Sequence, residues 1–127
     1  MSLIRSLCAL VLLAGAASAE VIEVRQFGNY FSPREIVIEP GDTVRWIWSS
    51  GSHTVTEGTD GVVNGNELFH SNLTAGIPSF SFTFTPTFLA QHPMPGGRYD
   101  YFCAPHFNLN MNGVVRVMDP SPYDYSF

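Results

Sequence analysis

The segment Ser79-Phe-Ser-Phe-Thr-Phe84 alternates strictly between small polar and aromatic side chains. Successive side chains of a β-strand point to opposite faces, so Phe80, Phe82 and Phe84 would lie on one face and the polar residues on the other. Such an aromatic face is far more often packed in a hydrophobic core than used as a binding platform. The segment therefore predicts a strand with one buried face and one face in water.

We extend this predicted strand to residues 79–85. Further short runs of β-type sequence lie before and after it. Turn sequences such as Pro40-Gly-Asp42 and Pro95-Gly-Gly97 separate them. Two longer loops, 58–78 and 86–97, interrupt the pattern, and the first has room for a short helix. The other predicted strands are 21–27, 35–38, 43–48, 53–56, 98–103 and 113–118. Together they predict an all-β sandwich.

The N-terminal residues 1–19 have the three parts of a signal peptide. Arg5 provides the positive charge, residues 6–16 the apolar stretch, and Ala17-Ser-Ala19 the cleavage site. The apolar stretch is shorter than the roughly 20 residues that a membrane-spanning helix requires. We therefore expect a soluble exported protein, periplasmic or extracellular, without a membrane span. Residues 20–118 would form one domain, and residues 119–127 a C-terminal tail without an assigned role.

Charge and cysteine content narrow the classes of function. The formal net charge is −5, and all eleven acidic residues follow residue 19. An acidic chain of this kind is not expected to bind nucleic acid. Cys103 is the only cysteine after residue 19, so it cannot form an internal disulfide. A lone cysteine is either a buried, inert residue or a functional one, and the neighbouring residues indicate which interpretation applies.

Those neighbours include two further side chains that bind metals. Cys103, His106 and Met111 lie within nine residues, and strand alternation places the thiol on the predicted core face. His53 follows a turn and begins a predicted strand, so it is the best placed of the remaining histidines to complete the set. One thiolate, two imidazoles and one thioether suit a trigonal copper ion with a weak axial sulfur.

Other uses of the same residues fit less well. Structural zinc sites have four strong ligands and catalytic ones leave a position for water, so Met111 suits neither. A thiol hydrolase built on Cys103 and His106 would need a group to orient the histidine, and none is evident. His70, His92 and Met94 leave a second copper site conceivable, although scattered residues of this kind are more often ordinary loop residues.

Four segments resemble the small blue copper proteins, or cupredoxins, of the plastocyanin, pseudoazurin and halocyanin kind. They are residues 31–46, 52–55, 79–84 and 99–117, and the Cys-x2-His-x4-Met spacing is that of plastocyanins and pseudoazurins. The resemblance implies a Greek-key sandwich of about eight strands in two sheets. It also implies one type 1 copper ion bound by His53, Cys103 and His106, with Met111 as the axial ligand.

The resemblance further implies an electron carrier and not an enzyme. Redox partners would dock transiently at His106, whose apolar rim would be Ala104, Pro105, Phe107 and Leu109, and the chain would act as a monomer. A carrier that hands copper to another exported protein uses the same ligands and stays an alternative. Exposed spare methionine and histidine side chains near the site would favour that alternative, and His92-Pro-Met94 is the candidate cluster.

Two positions depart from the resemblance. The family often has Asn after its first histidine ligand and Ser or Thr after the cysteine, and a hydrogen bond joins the two segments. Thr54 and Ala104 occupy those positions here, so we predict that this connection is lost. Residues 85–97 are longer than the tight turn usual in the family and are interpreted as an insertion.

Overall fold

The computed structural model describes residues 19–118. Nearly all of the predicted signal peptide and the whole predicted tail lie outside the described residues. Within residues 19–118 there are nine strands in two sheets, which confirms the all-β sandwich. None of the helices in this range has the length and apolar character needed to cross a membrane. The strands are β1 (Val21–Phe27), β2 (Tyr30–Ser32), β3 (Glu35–Ile38), β4 (Thr43–Ile47), β5 (His53–Glu57), β6 (His70–Leu73), β7 (Ser79–Thr83), β8 (Arg98–Phe102) and β9 (Asn112–Val117).

The strand order brings three distant parts of the chain together at one end of the sandwich. One sheet has the order β2-β1-β4-β7, and the other has the order β3-β9-β8-β5-β6. The pairs β1–β4 and β3–β9 are parallel, and the other neighbours are antiparallel. The last residue of β8, Phe102, lies opposite Thr56 of β5 and opposite Asn112, the first residue of β9.

Aromatic side chains fill the space between the sheets. The rings of Trp46 and Tyr101 meet edge to face at 5.2 Å, and Phe31 meets Tyr101 in the same way at 5.0 Å. Edge-to-face aromatic pairs contribute about 0.5–1.5 kcal/mol each beyond the area that they bury. Tyr99, Tyr101 and Cys103 are all buried in this core, as strand alternation predicted. The end of β8, which directly precedes Cys103, therefore lies in a closely packed interior.

The phenylalanines of β7 and the residue after it also pack on the core, as predicted. Phe84 is fully buried, while Phe80 and Phe82 are partly buried against the core cluster. Phe88 lies 4.9 Å from Phe82 and 5.7 Å from Phe84, ring centroid to ring centroid. The insertion thus covers one end of the aromatic core.

Phe88 belongs to the single short α-helix of the described residues, α1 (Pro86–Gln91). The Thr85 side chain accepts a hydrogen bond from the Phe88 N–H at 3.0 Å, and Pro86 occupies the first turn, which needs no backbone donor. The sequence had left room for a helix in the other loop, 58–78. That loop instead contributes β6, which pairs antiparallel with β5.

Candidate metal centre

His53, Cys103 and His106 come together at the end of the second sheet. The Cys103 sulfur lies 3.6 Å from Nδ1 of His53 and 3.4 Å from Nδ1 of His106. The three candidate ligand atoms all lie within 4.8 Å of one another. Separations of about 3.4–3.7 Å are those expected when a nitrogen and a sulfur bind one metal at roughly 2.0 and 2.3 Å with angles of about 105–120°. The donor set therefore fits a trigonal metal ion.

The backbone of the loop after β8 holds these side chains in place. β5 runs alongside the end of β8, where Thr56 pairs with Phe102 and the Ala104 N–H donates to the Thr54 side chain, and this brings His53, the first residue of β5, close to Cys103. The loop then turns through a 3₁₀ segment, Ala104–Leu109, in which the His106 N–H donates to the Cys103 carbonyl at 3.2 Å. The Cys103 N–H donates to the Met111 carbonyl at 2.9 Å. This backbone bond places Met111 beside Cys103, and both residues are fully buried.

In each histidine the ring nitrogen nearest to the Cys103 sulfur is Nδ1. The Nε2–H of His53 donates to the Ser50 carbonyl at 2.8 Å, which leaves Nδ1 free to bind a metal. Burial lowers the pKa of His53, and the nearby His106 lowers it further, although the hydrogen bond to Ser50 opposes this. A lowered pKa favours the neutral imidazole that metals require. His53 is only 3% exposed, whereas His106 is half-buried and reaches the surface.

The thiol of Cys103 is protonated until a metal displaces the proton. Burial raises the pKa of Cys103, and hydrogen bonds from the backbone N–H groups of Thr54 and His106 partly offset that rise. A metal ion binds the thiolate and displaces the proton, so it favours the deprotonated form of Cys103. The two N–H donors then stabilise the negative sulfur.

Thr54 and Ala104 are still joined, by a hydrogen bond of a different kind from the one that was predicted to be lost. The Ala104 N–H donates to Oγ1 of Thr54 at 2.8 Å. The side-chain pair of the family is absent, but a bond from the backbone of one segment to the side chain of the other takes its place. The segments that carry His53 and Cys103 are therefore still tied together next to the candidate ligands.

Gln26 supports the site and was missed by the sequence analysis. It is a fully buried polar residue on β1, and its Oε1 accepts from the N–H groups of Ser49 at 2.7 Å and Ser50 at 3.1 Å. Its Nε2 donates to the Gly28 carbonyl at 2.8 Å. The hydrogen bonds from Gln26 hold the turn at Ser49 and Ser50. Because the Ser50 carbonyl orients the ring of His53, Gln26 indirectly positions that ring. A polar residue at an inward position of a strand was the available signal.

Replacing Gln26 by leucine should destabilise the metal-free protein. Gln26→Leu removes three hydrogen bonds between a buried amide and the backbone of Gly28, Ser49 and Ser50, and each such bond contributes about 0.5–1.5 kcal/mol. We expect the free energy of unfolding in urea to fall by at least that amount. Arg25→Leu, on the solvent-facing side of the same strand, is the control and should change it by less than about 0.5 kcal/mol. Equal effects of the two substitutions would contradict this role of Gln26.

The predicted apolar rim of His106 is only partly exposed. Pro105 is exposed and Leu109 is 58% exposed, whereas Ala104 and Phe107 are half-buried. The Phe107 ring packs edge to face on Phe102 at 5.4 Å, so it holds the loop against the outer face of β8. Pro105 and Leu109 are therefore the rim residues that present most of their surface to solvent.

The other candidate ligands lie elsewhere. His70 is on β6, and His92 follows α1, where its carbonyl accepts from the Tyr99 hydroxyl near the opposite end of β8 from Cys103. Met94 packs against the core near that same end. Within residues 19–118 no second group of three His, Cys, Asp or Glu side chains is placed to bind a metal.

Comparisons with known proteins agree with this geometry. The sequence profile of the family described as copper binding proteins, plastocyanin/azurin family, matches residues 20–118. A pseudoazurin from Paracoccus pantotrophus is 30% identical over 124 residues, which cover 93% of this chain and 77% of that protein. A plastocyanin from Scenedesmus fuscus is 32% identical over 92 residues, which cover 68% and 85%. The crystal structure of amicyanin from Paracoccus versutus superposes with a TM-score of 0.57 at 26% identity and covers 83% and 88%.

Proposed function

The chain belongs to the plastocyanin/azurin family of copper-binding proteins, and from this premise we propose that it carries single electrons on one type 1 copper ion. Members of this family are electron carriers and not enzymes. The observation that carries the proposal is the donor set itself, in which the Cys103 sulfur lies 3.4–3.6 Å from one ring nitrogen of each histidine.

In this proposal His53, Cys103 and His106 bind copper in one plane, and Met111 is the axial ligand. Thiolate and thioether suit Cu(I), imidazole suits Cu(II), and the trigonal arrangement accommodates both. Backbone hydrogen bonds fix the ligand loop, and the Ser50 carbonyl fixes the His53 ring. Because these contacts fix the ligands, little has to move when the copper changes its charge.

Electrons would enter and leave through His106. It is the candidate ligand that reaches the surface, and exposed Pro105 and Leu109 flank it in the same loop. A small apolar surface of this kind suits short-lived contacts between a monomer and its redox partners. We also propose that the chain is exported to the periplasm or the extracellular space, in keeping with the signal-peptide pattern of residues 1–19.

The copper-carrier alternative has no support among the described residues. Its candidate cluster, His92-Pro-Met94, lies near the opposite end of β8 from Cys103, and Met94 packs against the core. Spare ligands that pass copper to a partner would instead be exposed near His106. We therefore retain only the electron carrier.

Reconstitution with copper tests the proposal. The purified chain should bind one copper ion, turn intensely blue on oxidation and show a reversible one-electron wave in cyclic voltammetry. His53→Gln should lose the blue colour, while His92→Gln, a histidine outside the cluster, should keep it. A colourless copper-loaded protein, or copper that passes readily to an apo-protein without reversible redox behaviour, would refute the electron carrier.

A further inference from the structure

A chain of hydrogen bonds links the surface to the candidate copper site. Nδ1 of His70, an exposed residue on β6, lies 2.9 Å from Oγ1 of the fully buried Thr56. The hydroxyl groups of Thr56 and Thr54 are 2.8 Å apart. Oγ1 of Thr54 in turn accepts from the N–H of Ala104, which follows Cys103. Two buried threonines thus connect an exposed titratable ring to the ligand loop.

Which group donates in each hydrogen bond of this chain depends on whether Nδ1 of His70 carries a proton. Each hydroxyl donates only one hydrogen bond, whereas the Ala104 N–H can only donate. When Nδ1 of His70 carries no proton, Thr56 donates to it, and Thr54 can then donate to Thr56. Both threonine hydroxyl protons point away from Cys103 in that state. All three contacts of the chain are satisfied.

Protonation of His70 reverses the two hydroxyls. Both ring nitrogens of the imidazolium ion are donors, so Nδ1–H must donate to Thr56. Thr56 then donates to Thr54, so that Oγ1 of Thr54 accepts from both Thr56 and the Ala104 N–H. The Thr54 hydroxyl hydrogen can no longer point at Thr56. A surface proton therefore turns the Thr56 hydroxyl away from His70 and towards the ligand loop.

We propose that His70 is a positioning residue that tunes the reduction potential of the copper through Thr56 and Thr54. This inference rests on the proposed function. A hydroxyl dipole whose hydrogen points towards the ligand loop disfavours the higher charge of Cu(II), and hydrogen bonding around the cysteine tunes the potential of such sites. The positive charge on the ring favours Cu(I) as well. Protonation of His70 therefore raises the potential.

Other ionisable groups near His70 must be held constant. Glu67 lies in the preceding loop and Glu57 ends β5, where its carboxylate accepts from the Leu68 N–H. Hydrogen bonds from the backbone keep the pKa of Glu67 below its ordinary value, so it stays ionised. β6 itself bears no other ionisable residue, and β7, which packs beside it, bears none. Both glutamates remain in every variant below.

The first experiment compares the reduction potential with pH in the wild-type protein and in His70→Gln. Histidine side chains change charge between about pH 5 and 8. All other ionisable groups are the same in the two proteins, so the informative quantity is the difference between the two profiles. We expect the wild-type potential to rise more on acidification than that of the variant. A coupling of about fivefold corresponds to about 40 mV for one electron.

Reciprocity provides a second measurement. If His70 protonation favours Cu(I), then reduction must raise the proton affinity of His70 by the same factor. The midpoint of the His70 ring titration, followed by NMR, should lie at higher pH in the reduced protein than in the oxidised protein. Coincident titrations in the two oxidation states would overturn the proposal.

Variants of Thr56 test the path. Thr56→Val removes the hydroxyl and should abolish the His70-dependent part of the profile, whereas Thr56→Ser keeps the hydroxyl and should retain it. Identical profiles in wild type and His70→Gln would refute the role of His70. An unchanged profile in Thr56→Val would refute the hydroxyl path and leave only a charge acting through space. A blue, reversible protein with either result would leave the proposed function intact.

Discussion

Cys103→Ser is expected to abolish the blue colour of the oxidised copper protein completely. The colour arises from charge transfer between a thiolate sulfur and Cu(II), and Cys103 is the only cysteine of the described residues. A serine hydroxyl is a poor copper ligand, because it is not deprotonated near neutral pH. Copper affinity should therefore also fall, since only the two histidines and one thioether remain.

The loss of colour must be separated from a loss of the fold. Serine is close in size to cysteine, and the backbone N–H groups of Thr54 and His106 that face the sulfur can donate to its oxygen instead. The metal-free variant should thus unfold in urea with a free energy within about 1–3 kcal/mol of wild type. Absorption spectra with stoichiometric copper measure the main effect. Blue colour in folded Cys103→Ser would show that the sulfur is not a ligand.

The strands that sequence predicted share a clear alternation of polar and apolar residues. Residues 79–84 and 98–103 each have this alternation, and both form strands close to the predicted bounds. β2 (Tyr30–Ser32) has only three residues, and β6 (His70–Leu73) has a single large apolar side chain, so neither shows an alternation of polar and apolar residues. Their strand state comes from pairing with β1 and β5, which is a property of the tertiary structure.

The candidate ligands were accessible to sequence reasoning for a different reason. Three of them lie in one loop with a diagnostic spacing, and His53 is distinguished by its position at the start of a strand. The supporting contacts were not accessible, because they involve backbone atoms. The Ala104 N–H that bonds to Thr54 and the Ser50 carbonyl that orients His53 are present in almost any residue, so no residue type reveals them.

Met111→Leu is expected to keep the copper and the blue colour but to raise the reduction potential. The axial thioether donates weakly to copper, and this donation stabilises Cu(II) more than Cu(I). Leucine removes the donor and keeps the site apolar, so the shift should be positive and on the order of tens of millivolts or more. Leucine and methionine have similar volumes, and such exchanges in a core usually cost less than about 1.5 kcal/mol.

The same substitution elsewhere in the chain provides the control. Met94 is partly buried against the core near the opposite end of β8 from Cys103, so Met94→Leu changes a similar amount of buried surface without touching the proposed ligands. Cyclic voltammetry of both variants at one pH should show a shift for Met111→Leu alone. An unchanged or lowered potential in Met111→Leu would show that Met111 is not the axial ligand. A shift of equal size in Met94→Leu would instead attribute the effect to packing, since that residue cannot reach the copper.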